Sequence, residues 1–318
     1  LSGNGLPLAG GPLRFAAVEV LERGAPPRRV EVDAVPDAIL HDLTAPRPAL
    51  AGLPADRTAV MGILNVTPDS FSDGGRHAAP AVAIAAAAAM ARAGADIIDI
   101  GAESTRPGAD PVDEATEIAR LDGVLPGLVG QRWSIDTRKA AVMARALDAG
   151  AVLVNDVSAL THDPAALALI AARQCPVVLM HAQGTPETMQ MAPHYDDALL
   201  DVYDWLAARI AACEAAGIGR DRIIADPGIG FGKTLDHNLA LLRGLTLFHG
   251  LGVPLLLGAS RKVLISRIAG DVAPAQRLPG SLALALHAAA CGVQIVRVHD
   301  VAETVQALAV WRAAQPGA

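Results

Sequence analysis

Residues 61–75 read MGILNVTPDSFSDGG. The apolar run Ala59–Leu64 ends at Asn65 and passes directly into a polar loop closed by two glycines. A run of strand length without polar alternation is what a parallel strand covered on both faces requires. The same form recurs at Asp96–Ile100, Arg132–Ile135, Ala151–Val154, Pro176–Met180, Arg222–Ala225, Val253–Leu257 and Val293–Val298. Alanine-rich or amphipathic stretches separate these runs. Ala78–Ala93, Pro111–Leu128, Lys139–Ala149, Pro164–Arg173, Asp196–Ala216 and Asp236–Leu245 are predicted helices.

Strand–helix units repeated in this way over roughly 255 residues predict an α/β protein, a (β/α)8 TIM barrel. A doubly wound open sheet is the rival, but it normally uses fewer strands. Residues 1–57 differ in character. They are rich in Gly and Pro, with one predicted strand (Arg14–Leu21) and a short helix (Val35–Leu43). The expected division is an N-terminal extension or small subdomain at 1–57 and the barrel at 58–318.

Composition narrows the function classes. A formal charge of −7 argues against a nucleic-acid surface, which needs a basic face. No charge-free apolar run reaches the ~18 residues of a membrane span, and no export signal is visible. Cys175, Cys213 and Cys291 form no CxxC pair or metal-ligand spacing, so they read as reduced thiols of a cytoplasmic protein. The segment GIGFGKT at 228–234 imitates a phosphate-binding P-loop. Its spacing rejects that reading, because the required first glycine falls on Pro227, which has no N–H to donate.

In a barrel of this kind the active site lies at the C-terminal ends of the strands. Each predicted strand exit carries polar groups: Asn65 to Asp73, Glu103 to Arg106, Asp136, Asn155 with Asp156, His181, Asp226, Ser260 to Lys262, and Arg297 with His299 and Asp300. Taken singly, Asp136, Asn155 and Asp226 read equally well as helix or turn caps. Taken together, they point to one mouth. Asp136, Asn155 and Asp226 can line the edge of a flat heterocycle bearing amino and ring N–H groups. Lys262 can donate to a ring carbonyl or nitrogen. Arg297 and His299 lie on the same side of a strand and can grip an anion. Asn65, with a divalent ion, can help neutralise it. Phe231, in a glycine-rich loop, is a candidate contact for a planar ring, whereas Phe71 reads first as a packing plug.

The segments NVTPDSFSDGG (65–75), ESTRPGA (103–109), SIDT (134–137), NDVSAL (155–160), LMHAQGTPETMQ (179–190), DPGIGFGK (226–233), GASRK (258–262) and RVHDV (297–301) resemble the dihydropteroate synthase family, in the family's order, over about residues 58–313. The resemblance implies a transferase of folate biosynthesis that joins 6-hydroxymethyl-7,8-dihydropterin diphosphate to 4-aminobenzoate and releases pyrophosphate. It implies that Asp136, Asp226, Lys262 and Arg297 carry the catalysis. Asp136, Asn155, Asp226 and Lys262 would bind the pterin, with Met180 and Phe231 lining its pocket. Arg297, His299 and Asn65 would hold the diphosphate, Asn65 also contacting Mg2+, and Thr105 would be a further contact to the pterin diphosphate. Phe71, Asp73, Arg106 and Pro107 would close over the aminobenzoate, with Ser260 and Lys262 on its other side, where sulfonamides compete in this family. A homodimer is the expected assembly.

The resemblance also implies that the bond to diphosphate breaks first, leaving a delocalised cation that the aromatic amine captures. Ala102, Ala182 and Arg138 depart from residues common in the family, and none removes a group with an assigned role. Two rivals are a methyltetrahydrofolate-binding domain and a catalytically silent pterin-binding paralogue. The first has no need of the two long loops or the Arg297–His299 pair; the second would show loss of Lys262, Arg297 or an acidic contact.

Overall fold

A computed structural model of the chain describes residues 5–66, 78–103, 111–185 and 188–315. Four short strands come first: β1 (Leu6–Pro7), β2 (Arg14–Phe15), β3 (Ala17–Val20) and β4 (Arg28–Glu31), paired antiparallel as β1–β2 and β3–β4. Helix α1 (Asp37–Thr44) follows them. Then strands and helices alternate: β5 (Ala59–Asn65), α2 (Ala78–Arg92), β6 (Ile97–Gly101), α3 (Glu114–Val124), β7 (Trp133–Asp136), α4 (Ala140–Asp148), β8 (Leu153–Asp156) and α5 (Ala166–Arg173). The second half adds β9 (Val177–Met180), α6 (Ala198–Ala215), β10 (Ile223–Asp226), α7 (Leu235–Arg243), β11 (Leu256–Leu257), α8 (Val263–Ala269), α9 (Leu278–Ala290), β12 (Ile295–Val298) and α10 (Val301–Ala313).

Strands β5 to β12 form one parallel sheet in the order β10-β9-β8-β7-β6-β5-β12-β11. A parallel bridge from Ala225 to Leu255 joins its two edges, so the sheet closes into the expected barrel. The joint is thin because Pro254 has no N–H for the ladder. The N–H of Leu255 goes to the side chain of Gln294 (2.7 Å), and the predicted strand Val253–Leu257 contracts to two residues.

Side-chain alternation divides the apolar residues into two cores. Val60, Leu64, Ile98, Ile100, Ile135, Val154, Val177, Leu179, Ile223, Ala225, Val296 and Val298 face outward and pack under the helices. Ala59, Met61, Ile97, Leu153, Val178, Ile224, Leu256 and Ile295 face inward and fill the barrel floor. Leu50 and Leu53, from the segment before β5, join this inner cluster and close the barrel's N-terminal end. One step further along four of these strands, Ile97, Leu153, Ile224 and Ile295 give way to the polar Asp99, Asn155, Asp226 and Arg297.

Candidate functional site

Asp99, two residues past Ile97 on β6, lies inside the barrel with no exposed surface. It accepts hydrogen bonds from Ser134 Oγ (2.6 Å), Asn155 Nδ2 (2.9 Å) and Arg297 Nε (2.6 Å). Arg297 donates its Nη2 to Asp136 Oδ2 at 2.6 Å. The other oxygen, Asp136 Oδ1, is buried and has no hydrogen-bond partner. Adjacent-strand register places Asn155 directly beside Asp136. These side chains from β6, β7, β8 and β12 therefore form one connected group.

The arrangement sets the charges. Burial, reinforced by Asp99, pushes the Asp136 carboxyl up to about 7 even though Arg297 donates to it. Burial opposes the charge on Arg297, yet Asp99 and Asp136 outweigh that and hold its pKa above the ordinary value. Two acids share one cation here, so a ligand offering N–H donors would relieve the excess negative charge. Two of Arg297's donors are committed to carboxylates, and 19% of its side chain stays exposed at the mouth. The role expected for it as an anion clamp is therefore joined by a second, the clamping of acids.

Across the barrel, Asp226 ends β10 and is 5% exposed. Burial pushes its carboxyl up to about 6, while the N–H of Gly228 and the charge of Lys262 work against that shift. Gly228 N donates to Asp226 Oδ1 at 2.7 Å. The glycine is required: its φ is +69°, and a Cβ would stand 1.9 Å from the carbonyl oxygen of His181. Lys262 Nζ lies 3.9 Å above the Phe231 ring centroid, a cation–π distance. Phe231 and Met180 help line a cavity of about 220 Å³ that also meets Val157, Met189 and Trp205. Asp136 and Asp226 do not line that cavity.

Ser260 and His299 meet at the rim, where Ser260 Oγ lies 3.1 Å from His299 Nδ1 and accepts the His299 backbone N–H at 3.2 Å. Between Ser260 and Lys262, Arg261 adopts a left-handed conformation (φ 57°) and is paired with Asp300. The kink sends Arg261 to its ion pair with Asp300, apart from the candidate site residues Ser260 and Lys262. Asn65 ends β5, and its Oδ1 lies 3.5 Å from the place where a Cβ on Gly101 would stand, a place also 3.7 Å from Asp136 Oδ2. Asn65, Met180, Asp136, Asn155, Asp226, Phe231, Ser260, Lys262, Arg297 and His299 thus stand at or after C-terminal strand ends. Phe71, Asp73, Thr105, Arg106 and Pro107 lie outside the described residues.

Sequence reading missed two residues. Asp99 carried a signal, an acid at an inward position of the run Ile97–Gly101, where an unpaired charge would be costly. Lys233 was set aside with the false P-loop. Its Nζ lies 2.8 Å from His181 Nδ1 and donates to the carbonyls of Gly228 (2.9 Å) and Phe231 (3.0 Å). Burial pushes the Lys233 amine down to about 7 and the His181 imidazole down to about 3, so neutral His181 can accept through Nδ1. This lysine staples the loop carrying Phe231 to the end of β9. Among the described residues no group of three or more His, Cys, Asp or Glu side chains is placed to hold a metal, and no helix is long and apolar enough to cross a membrane.

Comparison with known proteins bears on this geometry. Residues 61–299 match the family model of the pterin binding enzymes. The dihydropteroate synthase of Escherichia coli is 49% identical over 255 residues, covering 79% of this chain and 89% of the relative. A Xanthomonas albilineans dihydropteroate synthase solved with 4-aminobenzoic acid superposes with a TM-score of 0.79 at 48% identity, over 85% of this chain and 99% of that one. A structure of the Xanthomonas albilineans synthase in complex with 7,8-dihydropteroate gives a TM-score of 0.76 at 45% identity, over 85% of this chain and 100% of that one.

Proposed function

The chain belongs to the pterin-binding enzyme family, and from its dihydropteroate synthase relatives and its own acid-lined mouth we infer that it condenses 6-hydroxymethyl-7,8-dihydropterin diphosphate with 4-aminobenzoate. The products are 7,8-dihydropteroate and pyrophosphate, a step of folate biosynthesis. The observation that carries the reading is the buried, unpartnered Asp136 Oδ1 beside Asn155, which calls for a hydrogen-bond donor such as a ring N–H.

The pterin edge donates to Asp136, Asn155 and Asp226, and its carbonyl or imine nitrogen accepts from Lys262. Met180 and Phe231 flank the ring. The bond from the pterin methylene to diphosphate breaks heterolytically, and the electron pair leaves on the diphosphate oxygen. Ionised Asp136 and Asp226 stabilise the ring cation, whereas Arg297 and His299 attract the departing anion. The amine of 4-aminobenzoate then attacks the methylene and loses a proton. The aminobenzoate side is assigned to Ser260 with Phe71, Asp73, Arg106 and Pro107, and a contact to the pterin diphosphate to Thr105.

Asn65 offers a single neutral oxygen. That donor set fits Mg2+, which commonly takes one or two protein oxygens and completes its shell with water and substrate phosphates. Bound there, the ion would neutralise charge on the diphosphate. The chain's partners are small molecules, and its site of action is the cytoplasm, in keeping with three free thiols among the described residues. A homodimer is supported by the exposed Val263 and Ile268 on α8 and Val310 on α10.

The test is release of pyrophosphate from the pterin diphosphate with and without 4-aminobenzoate. Release that requires the amine, together with formation of dihydropteroate, is the expected outcome. Release indifferent to the amine, or none at all, overturns the reading.

A further inference from the structure

We propose that Lys233 is a positioning residue for the pterin half of the reaction. Its buried side-chain nitrogen shapes the turn after β10 from within, and so places both the Phe231 ring and the Gly228 N–H that holds Asp226. The inference rests on the pterin reading above and deepens it by naming what sets the geometry of that pocket.

The turn has little of its own to hold it in shape. Gly228, Gly230 and Gly232 have φ of +69°, +83° and +61°, a region that glycine enters and leaves at little cost. Among the described residues the backbone of the turn makes one hydrogen bond to itself, from Phe231 N to Gly228 O at 3.2 Å. Side chains supply further bonds. Gln190 Nε2 donates to Gly230 O at 2.8 Å, the Tyr195 hydroxyl donates to Gly232 O at 2.8 Å, and Asn238 Oδ1 accepts from Gly230 N at 2.7 Å.

Lys233 differs from these in burial and in reach. It is 2% exposed, and its Nζ meets four acceptors: His181 Nδ1 at 2.8 Å, Gly228 O at 2.9 Å, Phe231 O at 3.0 Å and His181 O at 3.3 Å. An ammonium brings three N–H donors, so four acceptors leave none of them unmet. A buried amine that lost these partners would bear its desolvation cost alone. The nitrogen thus fixes where Gly228 and Phe231 stand relative to His181, just past the end of β9. Two pterin contacts follow from that placement. Gly228 N reaches Asp226 Oδ1 at 2.7 Å, and the Phe231 ring centroid lies 3.9 Å from Lys262 Nζ while the residue lines the cavity with Met180. Charge adds to geometry, since Asp226 opposes the burial that pushes the Lys233 amine down to about 7.

The experiment is calorimetric titration of the full chain with 6-hydroxymethyl-7,8-dihydropterin at pH 7, below the unfolding transition, in a double-mutant cycle. Lys233→Met keeps an apolar stem in the same space and removes the donors, and affinity should fall about tenfold or more. Phe231→Ala removes one of the groups that Lys233 places and should weaken binding in its own right. The double variant should fall short of the product of the two single losses by about threefold or more, because the staple has less effect once the ring it places is gone. A lysine that only stabilises the fold would give losses that multiply. Should Lys233→Met fail to fold, Lys233→Gln, which keeps N–H donors but neither the reach nor the charge, replaces it in the same cycle with the same expectation. A folded Lys233 variant that binds within about twofold of the unsubstituted protein overturns the inference, and so do losses that multiply. Failure of the unsubstituted protein to bind the dihydropterin overturns the pterin reading itself, a result distinct from both.

Discussion

Asp136 carries two consequences that can be measured separately. Replacing it with Ala removes a charge-assisted hydrogen bond worth roughly 1.5–3 kcal/mol, so pterin affinity should fall about tenfold or more. Calorimetry showing unchanged affinity in a folded Asp136→Ala protein would count against its place in the site. Its proton adds a pH dependence. The carboxyl is held up near about 7 and binds N–H donors only when ionised, so pterin affinity should weaken as pH falls from 8 toward 6. Asp226 makes the opposite kind of statement, about stability. Its folded pKa of about 6 lies above the ordinary 3.8, so between those values the folded chain keeps a proton the unfolded chain has lost. Stability contributed by this group is therefore present at low pH and declines as pH rises through that window, by on the order of 3 kcal/mol. Asp226→Asn should flatten this slope in urea unfolding at pH 4.5 and 7; an identical slope in both proteins would refute the assignment. Most of these site residues could be read from the chain because strand exits in a barrel converge. Asp99 could not be read that way, since its importance comes from contacts made across 35, 56 and 198 positions of sequence.

Elements show why some boundaries were legible and others were not. Helices with a sequence-coded start appear where expected. Asp113 caps α3 through Thr116 N, and Asp197 caps α6 through the N–H groups of Leu199 and Leu200. Strand β11 was overextended because an apolar run at Val253–Leu257 carries no local sign that Pro254 and the Gln294 side chain interrupt its ladder. The predicted strand Arg14–Leu21 became two, since Phe15 ends one pairing and Ala17 begins another with a different partner. The loop after β10 is the element on which the site depends most. Gly228, Gly230 and Gly232 all have positive φ, and Lys233 ties the turn to His181 and to two of the loop's own carbonyls. Gly228→Ala would force a Cβ onto the His181 carbonyl in a conformation L-residues resist. Its expected cost is about 2–4 kcal/mol, with loss of the Asp226 and Phe231 geometry. Thermal unfolding and pterin titration of that variant check both parts; a stable variant with native affinity would show that the turn is not constrained.

At the scale of the whole molecule, the polar mouth at one end of the barrel has an apolar counterpart at the other, and the first 57 residues bear on that second end. Leu50 and Leu53 belong to the same buried cluster as Met61, Ile97, Leu153, Val178, Ile224, Leu256 and Ile295. The segment is tied down as well. Arg47 reaches the backbone oxygens of His249 (2.8 Å) and Asp42 (2.7 Å), and Arg23 bridges Asp201 and Asp204 of α6, each at 2.5 Å. Leu50 and Leu53 thus put a floor under the barrel, a placement that composition alone left unread because Gly- and Pro-rich sequence does not say what it covers. Leu53→Ala removes a buried leucine and should destabilise the protein by about 2–5 kcal/mol. Floor and mouth are separated by the polar layer around Asp99, so pterin affinity below the unfolding transition should stay within about twofold. Urea unfolding alongside pterin titration separates the two effects. A Leu53→Ala protein of native stability would remove the segment from the core, and a stable protein with impaired binding would place its influence at the mouth instead.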